Sequence, residues 1–489
     1  MNRRQILAGA GLAVLTGAAA PARFDHSVVL RAARALLRHP YQSPETPLPP
    51  ALAALDYDGY RKIRFLEDHA LWRGHDLPFQ AHFFHRGGLA RNRVELFEVF
   101  DGRAAQIAYS PGLYSFGDAP PEGLEGHPDL GFAGFRLLSP INQPDKLDEI
   151  AAFIGASYFR GVARGGAYGL SARGLAIGAG EAEEFPVFRA WWLERPAKGA
   201  ASVVLHGLMD GQSVTGAYRF VVTPGETTTM SVEATIFPRR DLAKVGFAPL
   251  TSMFLFDQES SHRYDDFRPA VHDSDGLAVA DASGQRIWRP LFNPKGTRIS
   301  TYPGSSGFGL IQRKTAFDDY QDLEARYDLR PSLWVEPVGA WPAGTARLVE
   351  LHARSEADDN IVAEWRADGS LPAHQPVSAA WRLHWGPDHT DPALARAHSW
   401  RAGAGDSDGW RRVVIDFGPV TGGGGGLDAT LEVSDGETRS AVIQPNPVTG
   451  GVRLAFNFKP GSADTTYVRA QLTRDGVSVS ELWAYPWVG

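Results

Sequence analysis

A chain of 489 residues with 43% hydrophobic and 21% charged residues, and with 13 Trp, 26 Phe and 14 Tyr, has the make-up of an ordinary globular protein rich in aromatics, which excludes a disordered or multi-span membrane protein. Its formal charge of −7 does not suit nucleic acid, which demands a basic surface, and the absence of Cys excludes disulfides, thiolate catalysis and Cys-held metal clusters. Its length calls for two or three domains, or one very large sheet protein plus a module.

In chain order, Arg3-Arg4 precede a Gly- and Ala-rich apolar run from Ala8 to Ala20. This pattern reads as a twin-arginine export signal over residues 1–22, cut near Ala20 or Ala22. The run is too short to span a bilayer, and no later segment offers about 18 uninterrupted apolar residues, so stable membrane insertion is not expected. Removal of residues 1–20, which carry Arg3 and Arg4 and no acids, takes the charge from −7 to −9.

Apolar spacing predicts a helix over Ser27–His39, stopped by Pro40, a second from Pro144 through Ile154, and a third over Phe317–Arg326. Nearly everything else reads as strand and turn. The predicted strands are Arg61–Phe65, Arg93–Val99, Ser202–Leu205, Tyr218–Val222, Thr227–Ile236, Arg347–Leu351, Ile361–Trp365, Val413–Phe417, Ala429–Val433, Val452–Phe458 and Thr466–Leu472. Many short strands with few helices predict a mainly β protein of large antiparallel sheets. From about residue 390 the strand rhythm, broken by turns such as Gly422–Gly426, fits an immunoglobulin-like sandwich. The glycines match no phosphate loop, because no helix follows them.

Three segments offer chemistry. Ser355-Glu356-Ala357-Asp358-Asp359-Asn360 is an acidic loop between two strands, where crowded carboxylates either stay in water or raise the pKa of at least one of them. It reads as the acid of a glycoside-cleaving site, or as a solvated turn. His272-Asp273-Ser274-Asp275-Gly276 carries acids that fit a turn cap or a weak calcium loop without its bidentate Glu. Trp288, Arg289, Tyr327, Asp328, Arg330 and Trp334 mix ring faces with planar donors and acceptors, as sugar recognition requires. The competing reading makes them core aromatics and structural Arg–Asp pairs. His82-Phe83-Phe84-His85 lacks the intervening Glu of a zincin, and no Gly-x-Ser-x-Gly elbow marks a serine hydrolase.

Taken in order, Leu55–Phe65, Gly155–Arg160, Tyr168–Gly174, His272–Ser274, Trp288–Leu291, Arg326–Ser332, Asp359–Val362 and Asn446–Gly450 resemble the periplasmic glucan biosynthesis proteins of the G and D type, over essentially the whole mature chain. The twin-arginine leader is more similar to the D type. The resemblance implies a large N-terminal β-sandwich of galactose-mutarotase-like build over residues 23–386 and an immunoglobulin-like domain over 387–489. It implies linear β-1,2-glucan as substrate and an anomer-inverting glycoside hydrolase, with Asp359 as acid, Asp273 as base and Glu356 in the same acidic pocket. Like-charge repulsion from Glu356 and Asp358 is expected to keep Asp359 protonated. A transglycosylase and a non-catalytic glucan-binding scaffold are the alternatives. Two-carboxylate inversion needs no Lewis acid, so neither cofactor nor metal is expected. A homodimer whose loops close over the cleft is compatible with the sequence.

Overall fold

The computed structural model describes residues 23–488 apart from 118–120, 123, 125, 126, 128 and 389–392. The export signal and its cleavage point near Ala20 or Ala22 lie outside the described residues. No helix among those described is long and apolar enough to cross a membrane.

The protein is mainly β. Two large sheets stack face to face, one of ten strands and one of fifteen among the described residues. Alternation makes this possible. In the strand Thr228–Pro238, Met230, Val232, Ala234 and Ile236 point inward and are buried, whereas Ser231, Glu233 and Thr235 face outward. Aromatic rings fill the space between the layers. Phe135 and Phe153 of the ten-stranded sheet stack at 4.8 Å, and Phe153 meets Trp191 and Phe220 of the larger sheet edge-on at 4.9 and 5.7 Å.

One helix, His26–Leu36, lies on the outside of the larger sheet and buries Val29 and Ala33 beside Ala217, Leu208 and Phe237. Asp25 caps it, accepting the N–H of Ser27 at 2.8 Å. The other two expected helices do not form. Lys146–Ile154 is a strand paired with Phe132–Gln143. Gln143 opposes Lys146, so Pro144-Asp145 is a hairpin turn rather than a helix start. The run Ile150–Phe153 is buried throughout, and a short continuous apolar run fits a buried strand as well as a helix. Phe317–Asp319 and Tyr327–Leu329 are single 3₁₀ turns, because Gln321 and Arg326 between them adopt left-handed φ values of 55° and 46°. Arg61 closes a short helix, Tyr57–Arg61, and only Arg64–Phe65 of that predicted strand is extended.

Toward the C-terminus a four-stranded sheet of Ala397–Ala404, Arg411–Phe417, Gly451–Pro460 and Gly436–Asn446 packs on Asp428–Val433, Thr465–Arg474 and Leu482–Val488. Val413, Ile415, Phe417, Leu454, Phe456 and Phe458 share this second core with Val468, Ala470, Leu472 and Trp483. The three-stranded layer is not free-standing. Its strand Leu482–Val488 runs parallel to Arg286–Pro290, pairing Ile287 with Leu482 and Trp288 with Trp483, so the larger sheet continues from one half of the molecule into the other.

Candidate active site

The strand Phe254–Phe256 pairs with Val271–His272, and the next residue, Asp273, donates its N–H to the carbonyl of Met253 at 2.8 Å. This fixes Asp273 at a strand end, 6% exposed. Burial pushes its carboxyl up; the Arg330 guanidinium, which pairs with it, and Arg160 oppose this, the charge on Asp359 adds to it, and the carboxyl ends above its ordinary range. Asp275, two residues on, is different. Burial raises it too, but Lys314, His272 and the N–H groups of Lys314 and Arg313 outweigh burial and hold it low.

The acidic loop joins Gly344–Glu350 to Ile361–Ala367, two strands paired from Gly344↔Ala367 to Glu350↔Ile361. Asn360 anchors it. Its side-chain oxygen accepts the N–H of Phe254 at 2.8 Å, and its amide donates to the carbonyls of Phe254 and Leu351, each at 3.0 Å. Phe254 opposes His272, so one amide ties the residue after Asp359 to the strand that carries Asp273. Asp358 turns back on its own loop, accepting N–H groups from Arg354 at 2.9 Å and Ser355 at 3.2 Å, which hold it below the usual carboxylate range. Glu356 accepts the Tyr327 hydroxyl at 3.0 Å and Arg268 Nη1 at 2.7 Å. Both carboxylates expected to act on Asp359 therefore have partners of their own.

Asp359 itself is exposed. Its charge raises both Asp273 and Tyr158, so the three lie within electrostatic reach of one another. Burial is the main cause of the rise at Tyr158, and Arg173, 5.3 Å from the Tyr158 ring, opposes it. Arg160 is steadied by donating to Ser171 Oγ at 2.7 Å. On the Asp273 side, Arg330 lies 4.1 Å over the Tyr327 ring and donates to the Ala325 carbonyl at 3.0 and 3.2 Å. Gln312 donates to the carbonyls of His272 and Tyr327, at 3.2 and 3.3 Å, and so joins the Tyr327 turn to the Asp273 strand.

Of the residues singled out in the sequence, Asp273, Arg330, Tyr327 and Glu356 are joined by side-chain contacts, and Asp359 reaches Asp273 through its charge. Asp328 does not share their contacts; it is buried and forked by Arg326 at 2.7 and 3.0 Å. Trp288, Arg289 and Trp334 need a different account, because only 2–4% of each is exposed and none offers a free face to a sugar. Trp288 and Trp334 belong to the second core, with Arg313 stacked 3.6 Å over Trp288 and Arg286 4.6 Å over Trp334. Arg289 is paired with Glu350 at 3.2 Å and lies over Phe292 at 5.1 Å. Sequence reasoning gave no role to Arg268, Asn360, Tyr158, Arg160 or Gln312. An Arg beside two acids in Asp265-Asp266-Phe267-Arg268 is the one local signal, and it becomes readable only when Asp322 and Glu356 are seen around it. Among the described residues no group of three or more His, Asp or Glu could hold a metal ion.

Residues 24–487 match the family described as "Periplasmic glucan biosynthesis protein, MdoG". The chain is 46% identical over 506 residues to "Glucans biosynthesis protein G" of Rhodopseudomonas palustris (strain BisA53), covering 100% of both chains. It is 44% identical over 514 residues to the protein of that name from Bradyrhizobium diazoefficiens, again covering 100% of both. With that from Vibrio cholerae serotype O1 the identity is 42% over 474 residues, covering 95% of this chain and 87% of the relative. All three carry the G name; the likeness to the D type rests on the leader alone.

Proposed function

Because the chain belongs to the periplasmic glucan biosynthesis protein family, we propose that it is an exported glycoside hydrolase that cleaves linear β-1,2-glucan with inversion, delivered to the periplasm by the twin-arginine route. Asp359 gives its proton to the departing glycosidic oxygen as the bond from that oxygen to the anomeric carbon breaks. Asp273 takes a proton from the water that attacks the same carbon from the opposite face. One observation carries this reading: Asp359 and Asp273 sit on separate elements tied by Asn360, close enough that the charge of one raises the pKa of the other.

Their surroundings suit unequal roles. Asp273 is buried, which strengthens it as a base, while Arg330 favours its ionised form. Asp359 is exposed and open to a polymer arriving from solvent. Tyr327 is buried, so its part is to position Glu356 and Arg330 rather than to face the sugar, while the half-buried Tyr158, beside Arg173, offers a hydroxyl-bearing ring. Where a sugar hydroxyl or bound water relays a proton, the carboxylates can stand farther apart than the ~6.5–9.5 Å of simple inverting pairs.

The test is incubation of purified protein with linear β-1,2-glucan, with product length followed by chromatography and the anomer by NMR. Shorter products that first appear as the inverted anomer are expected. Asp359→Asn and Asp273→Asn each lower the rate by about 10²–10⁴-fold, with folding and glucan binding retained. Longer or cyclic products would identify transglycosylation, binding without products a scaffold, and an Asp359→Asn variant that cleaves at the wild-type rate a different acid.

A further inference from the structure

Phe267 and Leu323 are each 81% exposed, although large apolar side chains gain about 25 cal/mol for every Å² withdrawn from water. Neither stands on a slack loop. Their chain neighbours, Arg268 and Asp322, are ion-paired at 2.8 Å, and the same Arg268 Nη1 reaches Glu356 at 2.7 Å. Arg268 also grips Asp266 at 2.8 Å, and Asp266 accepts the N–H of Arg268 at 2.9 Å. Asp322 accepts the N–H groups of Glu324 and Ala325 at 2.9 and 2.7 Å. Both loops are thus stapled to the Glu356 edge of the candidate cleft, with Phe267 and Leu323 held in water.

We propose that Phe267 and Leu323 form an apolar ledge on which glucosyl rings of a long linear glucan rest beyond the point of cleavage, so that both are positioning residues for polymer over short oligosaccharides. The proposal rests on the glucan reading given above. The occupant follows from the ledge's shape and rim. The Arg268–Asp322 pair brings the two loops together, and the apolar side chains are flanked along the chain by the exposed acids Asp265, Asp266 and Glu324, which are acceptors. A sugar matches this with an apolar ring face and a border of hydroxyl donors. A second protein chain matches it poorly, since a stable interface needs about 1,000 Å² or more with charge depleted at its centre.

Steady-state kinetics on long and short linear β-1,2-glucans would test this, comparing wild type with Phe267→Ala, Leu323→Ala, the double variant and Phe267→Trp. The double variant should raise KM for long glucan about three- to tenfold, the range one stacked ring contact supports, with kcat and the short substrate unaffected and Phe267→Trp like wild type. An unchanged KM, or an equal rise for both lengths, overturns the ledge. So does a change of mass in solution on making the double variant, which would assign these side chains to a contact between copies. Electrophoresis through gels containing the glucan, run in an Asp359→Asn background, separates binding from cleavage. If wild type cleaves nothing, weaker retardation of the double variant still supports the ledge and only the hydrolase reading fails. If the glucan retards neither protein, both readings fall together.

Discussion

Asp273 does two opposed things at once: it is buried, which favours the neutral acid, and it faces Arg330, which favours the anion. As the base it must be ionised, so kcat/KM should climb as pH rises through its elevated pKa. Arg330→Gln removes both the charge and the hydrogen bond that pull that pKa down. The acid limb of the pH–rate profile is therefore expected to move to higher pH, and an unmoved limb would separate Asp273 from the base role. Tyr327→Phe deletes the hydroxyl that Glu356 accepts while keeping the ring under Arg330; it should lower kcat more than it alters this limb. At this scale the sequence was informative where chemistry is dense in one short segment. Glu356 and Asp359 stand out in one acidic segment and Asp273 in another, whereas the burial of Trp288 and Trp334 depends on strands that arrive from residues 397–488.

The acidic loop is precise because of an amide rather than an acid. Asn360→Ala leaves the N–H and carbonyl of Phe254 and the carbonyl of Leu351 without the partners they have now, which should cost about 2–4 kcal/mol in denaturant unfolding. The loss of activity should exceed what the unfolded fraction explains, because the spacing of Asp359 from Asp273 relaxes with the clamp. Asn360→Asp keeps the acceptor for the Phe254 N–H but turns a carboxylate toward two carbonyls, and should be at least as harmful. Strands with clear alternation, such as Thr228–Pro238, were readable in advance. Lys146–Ile154 was not, because Pro144 is equally at home at the start of a helix and in a turn, and only the pairing of Gln143 with Lys146 decides between them. The break between the two 3₁₀ turns was hidden for a related reason: left-handed Gln321 and Arg326 carry no Gly or Asn to announce them.

Across the whole molecule, we propose residues 23–386 and 387–489 as two units, with Arg313 as their main polar tie. Its guanidinium meets Asp388 at 3.0 Å and Glu481 at 2.8 and 2.9 Å, donates to the Ala397 carbonyl at 2.9 Å, and covers Trp288. Arg313→Met would leave Glu481, 1% exposed, without its cation and Asp388, 5% exposed, with Arg396 alone, and is expected to destabilise the protein by about 3–5 kcal/mol, read from chemical unfolding. Glu259, which meets Arg401 of the C-terminal part at 2.9 Å, adds a dependence on pH. Burial pushes it up to about 7, so it binds a proton in the folded protein that the unfolded chain has already released above about pH 4.5. Its contribution is complete below that point and is lost as pH rises through 7; Glu259→Gln should flatten that stretch of a Tm–pH curve. The mainly β character was legible through strand rhythm, but the parallel pairing of Arg286–Pro290 with Leu482–Val488 left no mark, since Ile287 and Trp288 look like any interior strand.

That join has a mechanical corollary. Where Ile287 meets Leu482 and Trp288 meets Trp483, the halves share backbone hydrogen bonds and not merely side-chain packing. Such a weld resists shear and rotation of one half against the other, so no swing between them is expected, and the small-angle scattering profile should be the same with and without glucan.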